Sequence, residues 1–95
     1  MTEEKTTIVT EEHLSKYFKI TGEALDMVRS HEMDADRLDN ATDFLDMASR
    51  YYSDAEHFKE QGNYVLALSA LNYAHGWLDA GARIGLFKVK DSRLF

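Results

Sequence analysis

Residues 58–78 read FKEQGNYVLALSALNYAHGWL, and the Gly62-Asn63 pair separates two long stretches of helical period. Glycine takes the left-handed backbone that closes a helix, and asparagine offers a side-chain acceptor to the free N–H groups of the next one. A turn this short sends the chain back on itself, so the flanking helices form an antiparallel hairpin. Upstream, Leu38, Ala41, Leu45, Ala48, Tyr52 and Ala55 recur at three and four, beside a second row of Phe44, Met47, Tyr51 and Phe58. That face is wide enough to touch two neighbours. Downstream, the segment from Tyr64 to Leu86 is apolar nearly all round, with one polar row of Ser69, Asn72, His75, Asp79 and Arg83. Such a helix has to be covered on most sides, and two partners in a monomer leave part of it bare.

Working outward, Thr10 followed by Glu11 and Glu12 makes a helix cap with favourable charges in the first turn. The spacing of Leu14, Tyr17, Phe18, Leu25 and Val28 predicts an amphipathic helix from there to about Ser30. HEMDADRLD, residues 31–39, loses that period and suits a connection. The expected fold is therefore all-α, an antiparallel up-down-up three-helix bundle with helices over about 10–30, 36–61 and 63–86. Residues 1–9 read as a flexible lead-in and 10–95 as a single domain, with G-A-R-I-G (81–85) inside the third helix. The tail FKVKDSRLF is expected to fold back through Leu94 and Phe95, with Lys88, Lys90 and Arg93 complementing the negative end of the third helix.

Composition excludes much. In 95 residues there is no proline and no cysteine, which favours helices and removes disulfides, thiolate nucleophiles and zinc ribbons. A net charge of -6 argues against nucleic acid and anionic membranes as partners, because both need clustered Lys and Arg. MTEEKTTIVT lacks an apolar run, and no charge-free apolar stretch reaches ~18 residues, so the expectation is a cytoplasmic protein without a membrane span.

The candidate chemistry lies on the hairpin. Positions whose numbers add to roughly 125 come level across the turn, which sets His75 beside Arg50, Asp79 beside Asp46, and Arg83 beside Thr42 and Asp43. If the polar row faces helix two, then Asp46, Arg50, Asp54, His75, Asp79 and Arg83 make a polar seam of alternating charge. A salt-bridge seam that fixes register is the preferred reading over a ligand groove, since unpaired buried charge is costly. A hydrolytic centre ranks last, because His75 has no nucleophile at a useful spacing. Asp54 and His57 have the i,i+3 spacing of two metal ligands, yet His57 lies on the order of 10 Å along the bundle from His75, so no metal and no cofactor are expected. His31, Glu32, Asp34, Asp36 and Asp39 lack the glycine and terminal glutamate of a calcium loop. Tyr51, Tyr52, Tyr73 and Trp77 fall at core spacing among Leu and Ala.

Two resemblances add to this. The pattern Ala55, Phe58, Gly62, Tyr64, Ala67, Leu71, Ala74 is similar to one tetratricopeptide-type hairpin, but it occurs once and solenoids need about three. Residues 51–87, with YYSDA, the F-x-x-x-G turn and YAHGWLDAG followed by GLF, resemble the short archaeal proteins catalogued as domain of unknown function 357. That resemblance implies a small helical bundle in an archaeal cytoplasm and brings no activity. Asn63 stands where an acidic residue is expected, and both types cap helices. The combined expectation is a non-catalytic interaction or assembly module, pairing with a second copy or another protein through helix three. The alternative is a small-ligand or nucleotide-binding accessory protein that uses the polar seam.

Overall fold

The computed structural model describes residues 8–95. The lead-in expected over 1–9 therefore lies largely outside the described residues. Helix α1 spans Glu11–Ser30, a single 3-10 turn covers Ala35–Arg37, α2 spans Leu38–Glu60 and α3 spans Tyr64–Arg83. Each start has a local cause. Thr10 caps α1 by accepting from the His13 N–H at 3.1 Å, and Asn63 caps α3 by accepting from the Leu66 N–H at 3.2 Å. Asp34 turns its carboxylate onto the Asp36 N–H and so starts the 3-10 turn that leads into α2.

Both glycine ends are Schellman closures. Gly62 has φ +76, with Asn63 N–H on the Phe58 carbonyl and Gly62 N–H on Lys59, both at 2.9 Å. Gly85 repeats the geometry at φ +79, with Leu86 N–H on Gly81 at 2.8 Å and Gly85 N–H on Ala82 at 3.2 Å. The expectation that G-A-R-I-G lies wholly inside the helix is therefore corrected. Its second glycine ends α3, because the residues that follow must turn back into the core.

The most extensive interface is between α2 and α3, and α1 packs more on α3 than on α2. Small side chains make the hairpin tight: Ala41, Ala48, Ala55, Ala67 and Ala74 lose all contact with solvent. Aromatic pairs hold its register, with Phe44 edge-on to Trp77 at 4.9 Å and Tyr51 to Tyr73 at 4.4 Å between centroids. On α1 the buried residues are Leu14, Thr21, Ala24, Leu25 and Val28, so Tyr17 is not part of the core as expected, being exposed.

After α3 the chain folds back. Met33 and Phe87 form an antiparallel bridge, flanked by Asp34 N–H on Leu86 and Lys88 N–H on Glu32, both 2.9 Å. Leu86, Phe87, Val89 and Leu94 are all buried, and of the two residues expected to fold back, Leu94 is buried and Phe95 partly covered. Fully burying a side chain such as Phe87 or Leu94 stabilises by about 1.5–3 kcal/mol. The Phe87 ring rests on the backbone of Gly81, where a Cβ would come within 2.2 Å of Cε2. The Cα envelope measures 49 × 34 × 16 Å, about two helix layers at its thinnest given helix axes ~10 Å apart. A bundle this flat leaves one side of its middle helix open.

Gly81→Ala should destabilise the chain by about 1–3 kcal/mol in urea unfolding, the cost of forcing a group into a filled core, because Phe87 must leave its seat. A variant as stable as wild type would show that the seat is not tight.

Candidate functional site

The polar row of α3 does not face α2. His75 lies on the side towards α1 and the tail, where its Nε2–H donates to the Leu94 carbonyl at 2.6 Å. A carbonyl only accepts, so the proton sits on Nε2, and in the neutral ring Nδ1 accepts from the Thr21 hydroxyl at 3.0 Å. One imidazole thus joins three elements: α3, the middle of α1, and the tail. Thr21 is 3% exposed and Leu94 2%, while the His75 side chain between them keeps 19%, so the junction is buried at its two ends and partly covered at the ring. A buried polar group is tolerated when it is satisfied, and here His75 and Thr21 satisfy each other.

Asp79 sits one turn beyond His75. Its Oδ1 is 3.6 Å from His75 Nε2, too long for a hydrogen bond, and this solvent-inaccessible oxygen finds no hydrogen-bond partner among the described residues. Asp46 and Arg50 pair with each other on the exposed surface of α2, 2.9 Å apart, and Asp54 is exposed further along. Arg83 ends α3 at the mouth of a cleft formed with the tail. The seam expected between helices two and three is therefore corrected: among the described residues no ion pair joins α2 to α3, and Asp79 and Arg83, four residues apart on α3, do not pair. The axial register is right, since Tyr51 and Tyr73 do meet across the hairpin, but α3 is rotated so that its small residues and not its polar row enter the interface. Interdigitating small residues brings more atoms into contact than a row of charges that would have to shed water.

Two further residues carry structural chemistry that sequence reading missed. Thr21 had a visible signal, since it lies seven residues from both Leu14 and Val28 in an inward-facing row. Arg37 had none. Its Nε pairs with Asp34 at 2.7 Å and its Nη2 donates to the Ile84 carbonyl at 2.8 Å, so a cation from the first connection complements the negative end of α3. The tail cations were expected in that role. Arg93 instead reaches Glu23 on α1 at 3.1 Å, fastening the tail a second time. Among the described residues no three His, Cys, Asp or Glu side chains converge as metal ligands, and Asp54 and His57 stand exposed on α2.

This geometry defines a small all-α protein, a three-helix bundle in which a half-buried histidine clamps the returning tail. The chain belongs to the protein family of unknown function DUF357, whose model matches residues 16–87. No curated protein and no solved structure matches it. The matched stretch ends at Phe87, so the Gly81–Phe87 seat lies inside it and the Leu94 contact beyond it. Among the described residues no helix is long and apolar enough to cross a membrane.

Two outcomes follow from the clamp and the cap. Replacing His75 with Phe keeps a flat, somewhat larger ring but leaves the Thr21 hydroxyl and Leu94 carbonyl without partners, so stability should fall by about 1–3 kcal/mol. The amides of Leu94 and Phe95 should then exchange with solvent faster than in wild type, and unchanged exchange would remove His75 from the clamp. The Asp34 carboxyl is held below its ordinary value of 3.8, first by the hydrogen bond from Arg37 and then by the Asp36 N–H. A depressed carboxylate contributes its stability above the ordinary value and loses it as pH falls through the lower folded value. Urea unfolding between about pH 5 and pH 2 should therefore show the advantage of wild type over Asp34→Asn shrinking with acid. A constant gap across that range would deny the cap its charge.

Proposed function

We propose that this chain is a non-catalytic helical assembly module that pairs with a second copy of itself across the open side of α3. Leu66, Tyr73 and Ile84 are 44%, 55% and 51% exposed, and with Ala80 they fall at the seven- and four-residue spacing of one helix stripe. Of the chain's 17 acidic residues only Asp79 lies on α3, so this stripe is nearly free of the charge that keeps copies apart elsewhere.

The observation that carries the reading is Gly76. It lies in mid-helix on this side with nothing within 4 Å of where a Cβ would stand. A glycine there weakens the helix by about 0.5–1 kcal/mol relative to alanine, and nothing in the chain's own packing requires it. A second helix approaching to backbone distance does require it. The stripe is also self-complementary. An antiparallel two-fold centred on Tyr73 sets Leu66 of each copy over Ala80 of the other, large against small.

Sedimentation velocity of the full chain should give a dimer. Gly76→Leu and Tyr73→Glu should each give a monomer with unchanged helical circular dichroism. A wild-type chain that stays monomeric at hundreds of micromolar, or a dimer that survives both substitutions, would overturn the proposal. Gly76→Ala provides a further check, since it should raise the stability of the isolated monomer by up to about 1 kcal/mol while weakening association.

A further inference from the structure

Between the second half of α3 and the returning tail lies a cleft of about 360 Å³, at the small end of the range for ligand sites. We propose that it binds a small organic anion, with a carboxylate or phosphate head held by Arg83 and Lys90 and an apolar body against Ala82, Val89 and Phe95. The inference is independent of assembly through the Tyr73 stripe.

The argument is one of uncommitted charge. Four charged residues line the cleft. Asp91 is already engaged, accepting from the Arg93 N–H at 2.9 Å with the Arg93 guanidinium 3.8 Å away. Asp79 directs Oδ1 inward beside His75. Arg83 and Lys90 have no carboxylate within 4.0 Å among the described residues, although Asp79 stands four residues before Arg83, at the spacing that pairs charges along a helix. In a chain of net charge -6, two free cations brought together from separate elements into one concavity favour an anion there. The planar guanidinium presents paired N–H groups that match a carboxylate or a phosphate.

Ala82, Val89 and Phe95 give the cleft an apolar wall, which selects an anion with a hydrocarbon body over a bare inorganic ion. Much of the wall is tail, and the tail is fastened to the bundle by His75 through Leu94 and by Arg93 through Glu23. A ligand bridging Arg83 and Lys90 therefore ties α3 to the tail a third time. Its binding slows tail opening, which amide exchange reads directly.

The test is an amide NMR titration of the full chain with benzoate and with phenyl phosphate, using inorganic phosphate and benzyl alcohol as controls. Saturable shifts for either organic anion at Arg83, Val89, Lys90 and Phe95, with slowed exchange of the tail amides, are expected, and the tighter of the two names the head group. Arg83→Gln should weaken that binding roughly tenfold or more, the loss of a charge-assisted contact, and Lys90→Gln should weaken it less. Circular dichroism confirms that both variants fold. Absence of saturable shifts for either anion at tens of millimolar would overturn the proposal, as would equal binding of benzyl alcohol or binding unchanged by both substitutions. Inorganic phosphate binding as tightly as phenyl phosphate would overturn the apolar wall. The Gly76→Leu chain should bind like wild type, so a failure of assembly and a failure of this cleft are told apart.

Discussion

Helix α3 is apolar around most of its circumference, and the rest of the molecule is arranged to cover it. Alanines of α2 meet its small residues on one side, α1 lies along another, and the chain after Gly85 turns back to shield a third. Each cover has its own fastening: the hairpin by the Gly62 turn and its aromatic pairs, α1 by Thr21 on His75, and the tail by Phe87 on Gly81 and Leu94 on His75. A side chain that fills a void and satisfies two polar groups at once has little freedom to be replaced. His75 is of this kind, and its imidazole joins α1 and the tail to α3 at one point.

The polar groups divide into those spent on architecture and those left over. Arg37 and Asp34 tie the first connection to the end of α3, and Arg93 ties the tail to α1. These contacts satisfy carbonyls and orient chain ends; their net energies are small, as exposed ion pairs usually are. What remains is a charge-poor helix stripe around Tyr73 and a cleft in which Arg83 and Lys90 have no carboxylate partner among the described residues. We propose a second copy of the chain for the first and a small anion for the second. Both readings make α3 a scaffold, with each of its sides assigned a different neighbour.

Much of the fold was legible because its signals are local. Thr10, Gly62 and Asn63 act within four residues of themselves, and all three do what their side chains or backbones favour. The register of the hairpin followed from the length of its turn alone. The direction in which α3 presents its polar row was not legible. An amphipathic helix announces its inner face, but one that is apolar all round allows several rotations of similar hydrophobic gain. Assigning His75, Asp79 and Arg83 to Asp46 and Arg50 rested on height along the bundle, which was right, and on facing, which packing of alanines decided otherwise.

By itself, then, the order of residues determined three helices, their limits to within a few positions, the tight second turn and the burial of the tail, all through short-range capping and periodicity. Tertiary structure alone decided that His75 clamps Thr21 to Leu94, that Arg37 caps a helix 47 residues away, and that Gly85 ends α3 so that Phe87 can sit on Gly81. The physical reason is distance along the chain. A contact between remote residues depends on how whole helices rotate against one another, and that rotation is set by the sum of many weak packing contacts, none of which a local stretch of sequence contains.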